Sequence, residues 1–123
     1  MNIKIFWSDA TSGQGVGSSN ARPVNLNEAR RIWSDEVRGV KGNFLGLIDE
    51  EGRAAQFSFD ANVPDSVDDA SFLKIIRVDF PLPAKKGSFT ATVTVREVDK
   101  WMQEIFKKGA DPGRFKDLKF EAW

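Results

Sequence analysis

The chain has 123 residues with no Cys, His or Tyr, and its 18 Lys plus Arg balance 18 Asp plus Glu for a formal net charge of zero. Lack of cysteine excludes disulfides, Cys-ligated zinc, iron–sulfur clusters and a thiol nucleophile; lack of histidine removes the commonest general base near neutral pH and the commonest metal ligand. Any reaction would have to use carboxylates, Lys or Ser/Thr, so the composition points to binding, with no cofactor expected.

A chain of this length, 41% hydrophobic with ten Phe and four Trp, is expected to form a single domain (1–123) that buries roughly two thirds of its unfolded surface. No apolar run approaches the ~20 residues of a membrane span. Met1 to Trp7 is followed at once by Ser8 and Asp9, too short an apolar stretch for an export signal, so a cytoplasmic protein is expected.

Asn2 to Trp7 alternates as a strand with Ile3, Ile5 and Trp7 on one face. Residues 8–23 hold a Gly/Ser-rich run and read as a flexible loop. Asn25, three residues ahead of Glu28, resembles a capping box. Leu26, Ala29, Ile32, Trp33 and Val37 then recur at helical spacing, predicting a helix of about four turns ending near Gly39. Asn43 to Asp49 and Arg53 to Asp60 form two strands of a hairpin, the second with Ala55, Phe57 and Phe59 on one face. Asp60 to Ala70 is a loop, Phe72 to Phe80 a strand and Ser88 to Val93 another. Thr94 to Glu97 is a capping box opening a helix striped with Val98, Trp101, Met102, Ile105 and Phe106, with Lys107 and Lys108 in its last turn and Gly109 to end it. Asp117 to Trp123 closes the chain as a strand with Leu118, Phe120 and Ala122 inward. This order predicts a two-layer α+β domain: a mainly antiparallel sheet of 4–6 strands, two helices on one face, and a polar opposite face bearing Gln56, Ser58, Arg77, Asp79, Thr90 and Thr92.

Several candidate sites fall short of their chemistry. Gly13-Gln-Gly-Val-Gly17 follows a strand, but its glycine spacing misses the dinucleotide fingerprint and no Gly-Lys-Ser/Thr follows. Asp60-Ala-Asn62 opens like a calcium loop, yet Asp65 stands where glycine is required and Ser71 where glutamate is required. Phe57 and Phe59 could stack bases, but acidic neighbours oppose phosphate and the RNA-binding signature is missing, so core packing is expected and no nucleic-acid partner. The charge pattern says more. Net charge is +2 over residues 1–48, −5 over 49–84 and +3 over 85–123. Asp49, Glu50 and Glu51 belong to the hairpin tip, and Asp60, Asp65, Asp68 and Asp69 to the next loop. If both lay at one edge of the sheet, they would form a negative patch able to steer a basic partner.

The run Asn43-Phe-Leu-Gly-Leu-Ile-Asp49, a turn, Ala55-Gln-Phe-Ser-Phe59, the capped helix Val98 to Gly109, the Asp111-Pro112 turn and a terminal strand ending in Trp123 together resemble small immunity proteins of bacterial polymorphic and contact-dependent toxin systems. The similarity spans about residues 24–123 and leaves out the glycine-rich loop and the acidic segment. It implies a non-enzymatic protein that binds a cognate toxin domain in the producing cell and occludes its active site. The acidic set Asp49, Glu50, Glu51, Asp60, Asp65, Asp68 and Asp69 is then the expected contact region. The alternative is a non-catalytic α+β adaptor or assembly subunit binding a protein partner through its polar sheet face or edge.

Overall fold

A computed structural model describes residues 2–123. The expected α+β class holds, but the sheet has eight strands instead of four to six. They are β1 (Ile3–Asp9), β2 (Gln14–Val16), β3 (Arg22–Val24), β4 (Phe44–Ile48), β5 (Ala54–Phe59), β6 (Ile76–Leu82), β7 (Gly87–Val93) and β8 (Lys119–Ala122), all pairing antiparallel. Across the sheet the order is β2, β1, β4, β5, β6, β7, β8, with β3 also on β1.

The two extra strands come from residues 8–23, which are not a loop. β2 pairs Trp7 with Val16 and Asp9 with Gln14; β3 pairs Ile5 with Arg22 and Ile3 with Val24. They are two halves of one strand lying along β1, interrupted by a 3-10 turn at Ser18–Asn20. Gly15 is required by proximity: a Cβ there would stand 2.5 Å from the Trp7 carbonyl oxygen. Glycine and serine contribute no hydrophobic alternation, so the pairing is carried by backbone hydrogen bonds.

The first helix is also shorter and less regular than its periodicity predicts. α1 covers Leu26–Arg31, with the Asn25 side chain accepting from the Glu28 amide at 2.7 Å. It continues as a π-helical turn, Ile32–Glu36, in which the Val37 amide reaches back to the Ile32 carbonyl. The extra residue per turn brings Trp33 flat against Phe59, ring centroids 5.1 Å apart, while Ile32 stays buried. α2 (Glu97–Lys108) has the reciprocal box: the Thr94 amide donates to Glu97 Oε1 at 2.8 Å and the Glu97 amide to Thr94 Oγ1 at 3.2 Å. Gly109, at φ 85°, stops it as expected.

Both helices cover the face formed by Ile3, Ile5, Trp7, Leu45, Leu47, Phe57, Ile76, Val78 and Phe80, to which they add Ala29, Ile32, Val98, Met102 and Ile105. Trp7 at the end of β1 is buried, and its indole N–H has no partner among the described residues. An Arg30–Asp99 ion pair ties α1 to α2. The opposite face is open. There Phe6 fills the space above Gly46, where any Cβ would overlap its ring. Phe44 packs edge-on beside it, ring centroids 6.1 Å apart. The strand expected from Phe72 begins only at Ile76; Phe72 is 61% exposed in the preceding loop. Likewise the closing strand is confined to Lys119–Ala122 and is exposed throughout, because it forms the outer edge of the sheet and not part of its core.

Candidate protein-binding surface

The expected single acidic patch does not form. β5 separates the hairpin tip from the Asp60 loop, and six extended residues span about 20 Å. The tip lies beside the start of β1 and the end of α2: the Asn2 amide donates to Glu50 Oε1, and the Ala110 amide donates to Asp49 Oδ2. The Asp60 loop lies at the other end. The Asp60 amide bonds the Ile75 carbonyl, the Gly42 amide the Phe59 carbonyl, and the Val63 amide the Gly39 carbonyl.

Asp49 is withdrawn from the surface altogether. Its side chain is 1% exposed. Oδ1 accepts from the Glu51 and Arg53 amides at 3.0 and 2.9 Å, and Oδ2 from Arg53 Nε at 3.0 Å and the Ala110 amide at 2.8 Å. Burial pushes its carboxyl up, but the bonds from Ala110, Arg53 and Glu51 outweigh that and hold it below the usual carboxylate range. This residue closes the hairpin turn and staples it to the C-terminus of α2. Glu51 pairs at 3.6 Å with Arg53, which also reaches Asp111. Arg53 is thus shared by Asp49, Glu51 and Asp111, and Glu50 is held by the Asn2 amide, so the tip keeps a net negative charge of its own.

Asp9 plays the same part at the far end of the sheet. Asn43 Nδ2 donates to its Oδ1 at 2.6 Å and Ser12 Oγ to its Oδ2 at 2.7 Å, with Arg38 Nε 3.6 Å away. Burial opposes its ionisation, yet the Ser12 and Thr11 bonds and the Arg38 charge leave the carboxyl below its ordinary value. Asn43 completes the latch by accepting from the Ala10 amide and donating to the Arg38 carbonyl.

The remaining acidic residues share one device. The 16-residue connection from Asp60 to Ile75 returns to its own starting point through the Asp60–Ile75 bond, which makes it an Ω-loop. It is pinned on one flank by Val63 to Gly39 and by the Lys41 amide to Asn62 Oδ1 at 2.7 Å. On the other flank the Val95 and Arg96 amides donate to the Leu73 and Ser71 carbonyls. Between these flanks Asp65, Asp68 and Asp69 project into solvent. Hydrogen bonding from Ser71, side chain and amide, holds the Asp69 carboxyl below its usual value. Among the described residues, none of Asp60, Asp65, Asp68 and Asp69 has a basic nitrogen within 4.0 Å. Lys41, Lys74 and Arg96 flank the loop, so its unpaired negative charge is concentrated toward the tip.

Val63 and Ala70, one on each side of that tip, line an open groove of about 500 Å³. Its other walls include Trp33, Phe59, Val95 and Met102, with Arg30 and Arg96 at the rim. The groove thus sets an apolar depression beside carboxylates that hold no ion pair within 4.0 Å among the described residues, with the Arg96 charge acting on Asp69. This groove had no local signal in the sequence, because its walls come from the π-helical turn, β5, the Ω-loop and the start of α2.

The sheet face has a different character. Arg77 lies between Asp79 and Glu121, 3.1 Å from each, and Thr90 Oγ1 donates to Glu121 at 3.3 Å. Burial raises the Asp79 carboxyl above its ordinary value in spite of Arg77. Charges here are engaged with one another. Among the described residues no group of three or more acidic side chains is arranged to hold a metal ion. No family model, curated protein or solved structure matches the chain. No helix among the described residues is long and apolar enough to cross a membrane.

Proposed function

We propose that the chain is a non-catalytic binding protein, an immunity protein that acts in the cytoplasm of the producing cell. In this reading it neutralises a cognate toxin domain by occluding its active site. The observation that carries the reading is the pinned Ω-loop, which presents Asp60, Asp65, Asp68 and Asp69 beside an apolar groove with no ion pair within 4.0 Å among the described residues. Unpaired acidic charge steers a basic, substrate-facing cleft into encounter, and the groove then accepts an apolar anchor from the toxin. A preorganised loop loses little entropy on docking. Glu50 and Glu51 contribute at most a second, distant contact, and Asp49 none.

The test is binding to the product of the gene next to the one encoding this chain, with association rates measured from about 20 to 500 mM salt. Charge reversal of Asp65, Asp68 and Asp69 together is expected to slow association about tenfold at low salt and to flatten its salt dependence. Unchanged rates would remove the loop from the interface, and no binding to the wild-type chain would remove the immunity reading. A second reading, a non-catalytic adaptor or assembly subunit, draws on the uncovered sheet face and on the free edge of β8.

A further inference from the structure

The two edges of the sheet differ. On the β2/β3 side the strand is broken by the Ser18–Asn20 turn and carries Pro23, which has no amide hydrogen to offer. On the other side β8 is regular, has no outer neighbour among the described residues, and displays Phe120 at 45% and Trp123 at 70% exposure.

The direction of every backbone group in β8 follows from its pairing. Thr90 stands opposite Lys119 and Ser88 opposite Glu121, and the Trp123 amide donates to the Lys86 carbonyl at 2.8 Å. Hydrogen-bonded and non-bonded pairs alternate in an antiparallel ladder. Lys119, Glu121 and Trp123 therefore point their amides and carbonyls at β7, and Leu118, Phe120 and Ala122 point theirs outward. A second strand can pair with this edge only by setting outward residues opposite outward residues.

For a second copy of β8 running antiparallel, registers centred on Lys119, Phe120, Glu121 or Ala122 meet that condition, and the one centred on Ala122 pairs only three residues of each copy. Centring the pair on Lys119 opposes Lys119 to itself, and centring it on Glu121 opposes Glu121 to itself; both place like charges face to face. Centring it on Phe120 sets Lys119 against Glu121 of the other copy twice, Phe120 against Phe120, and Leu118 against Ala122. In that register the Lys–Glu pairs fall at the non-hydrogen-bonded positions, where side chains approach most closely.

We infer that β8 is a self-recognition edge: two copies of this chain pair antiparallel about a two-fold axis at Phe120, joining their sheets into one. The axis stands perpendicular to the sheet, so both helical layers end on the same side, and Phe120 loses much of its exposure to its counterpart. This inference does not depend on the toxin-binding reading, since the Ω-loop belongs to the β5–β6 connection and not to this edge. An edge contact of four to five residues is smaller than a standard interface, so the dimer is a weak one with a dissociation constant of roughly 10 μM to 1 mM.

The experiment is sedimentation equilibrium from about 10 μM to 1 mM, with amide exchange measured at both ends of that range. The wild-type chain is expected to pass from monomer to dimer, with the Phe120 and Ala122 amides gaining protection while the Glu121 amide is protected throughout. Lys119→Glu alone and Glu121→Lys alone are each expected to weaken self-association about tenfold or more, and an equimolar mixture of the two to restore it as a heterodimer. Ala122→Pro removes an outward amide that no internal bond uses, and is expected to give a monomer with an unchanged circular dichroism spectrum. A wild-type chain that stays monomeric across the range, a mixture no tighter than its separate components, or a dimer with unprotected Phe120 and Ala122 amides would each overturn the assignment.

Discussion

Replacing Asp49 by alanine isolates what a fully internal carboxylate contributes. The substitution removes the acceptor of four hydrogen bonds and leaves the Ala110 amide buried without a partner. Breaking a buried charge pair costs about 3–5 kcal/mol, part of it the roughly 1–3 kcal/mol for an unsatisfied buried donor. Arg53 is 36% exposed and can turn to water, which lowers the expectation to about 2–4 kcal/mol. Asp49→Asn keeps one oxygen for the Glu51 and Arg53 amides but turns a donor toward Ala110, at a cost of about 1–3 kcal/mol. Urea unfolding followed by tryptophan fluorescence provides the assay. With a slope near ~1.5 kcal/mol per molar, the alanine midpoint should fall by about 2 M at unchanged slope. The exposed Glu51→Gln control should move it by no more than about 0.3 M. If Asp49→Ala behaves like that control, the staple between the hairpin and α2 does not exist and Asp49 returns to the list of surface acids.

Acid should weaken the fold through the same groups. Asp9 and Asp49 have folded-state values below their ordinary 3.8, so their stabilisation is complete above that value and is lost as pH falls through the lower folded values. Urea midpoints should thus hold between pH 7 and 5 and drop below about pH 4, and the drop should be smaller in Asp49→Asn. Gly46→Ala should cost about 1–3 kcal/mol by forcing Phe6 off its seat, and Phe6→Leu in the same chain should recover part of the loss; a strictly additive double variant would refute that contact. Asn43→Ala should destabilise by about 1–3 kcal/mol, measured by the same unfolding assay, since it removes the donor to the buried Asp9 Oδ1 and the acceptor of the Ala10 amide together while Ser12 and Arg38 stay on Oδ2. Reversal of Asp65 and Asp68 should leave the urea midpoint within about 0.3 M of wild type, because these side chains are exposed and hold no ion pair among the described residues; adding reversal of Asp69, whose carboxylate accepts from the Ser71 amide, should lower it further.

Local signals in the sequence carried through where the structure they specify is local. Thr94 and Glu97 form their reciprocal bonds because capping depends on three residues. Ala55, Phe57 and Phe59 face inward because period-two alternation is the geometry of a half-covered strand. Residues 8–23 misled for the opposite reason: β2 and β3 exist through pairing with β1, and their Gly, Ser and Pro content describes only what they lack. The π-helical turn coincides with Trp33 stacking on Phe59, a contact between distant segments with no local periodicity. The acidic set divides because sequence proximity across a hairpin is not spatial proximity: residues 53 and 60 lie at opposite ends of one strand. Likewise Asp49 and Glu50 are chain neighbours with opposite fates, one held by the Ala110 amide and one facing solvent.

The broken strand along β1 has a consequence for growth. Sheets polymerise when each new unit arrives with two usable rims, one to attach and one to offer. This molecule has a single usable rim, so the first attachment consumes it and the exposed ends of the resulting pair are both interrupted strands carrying Pro23. If β8 pairs as inferred, association along the sheet stops at two and a fibre has no rim from which to grow.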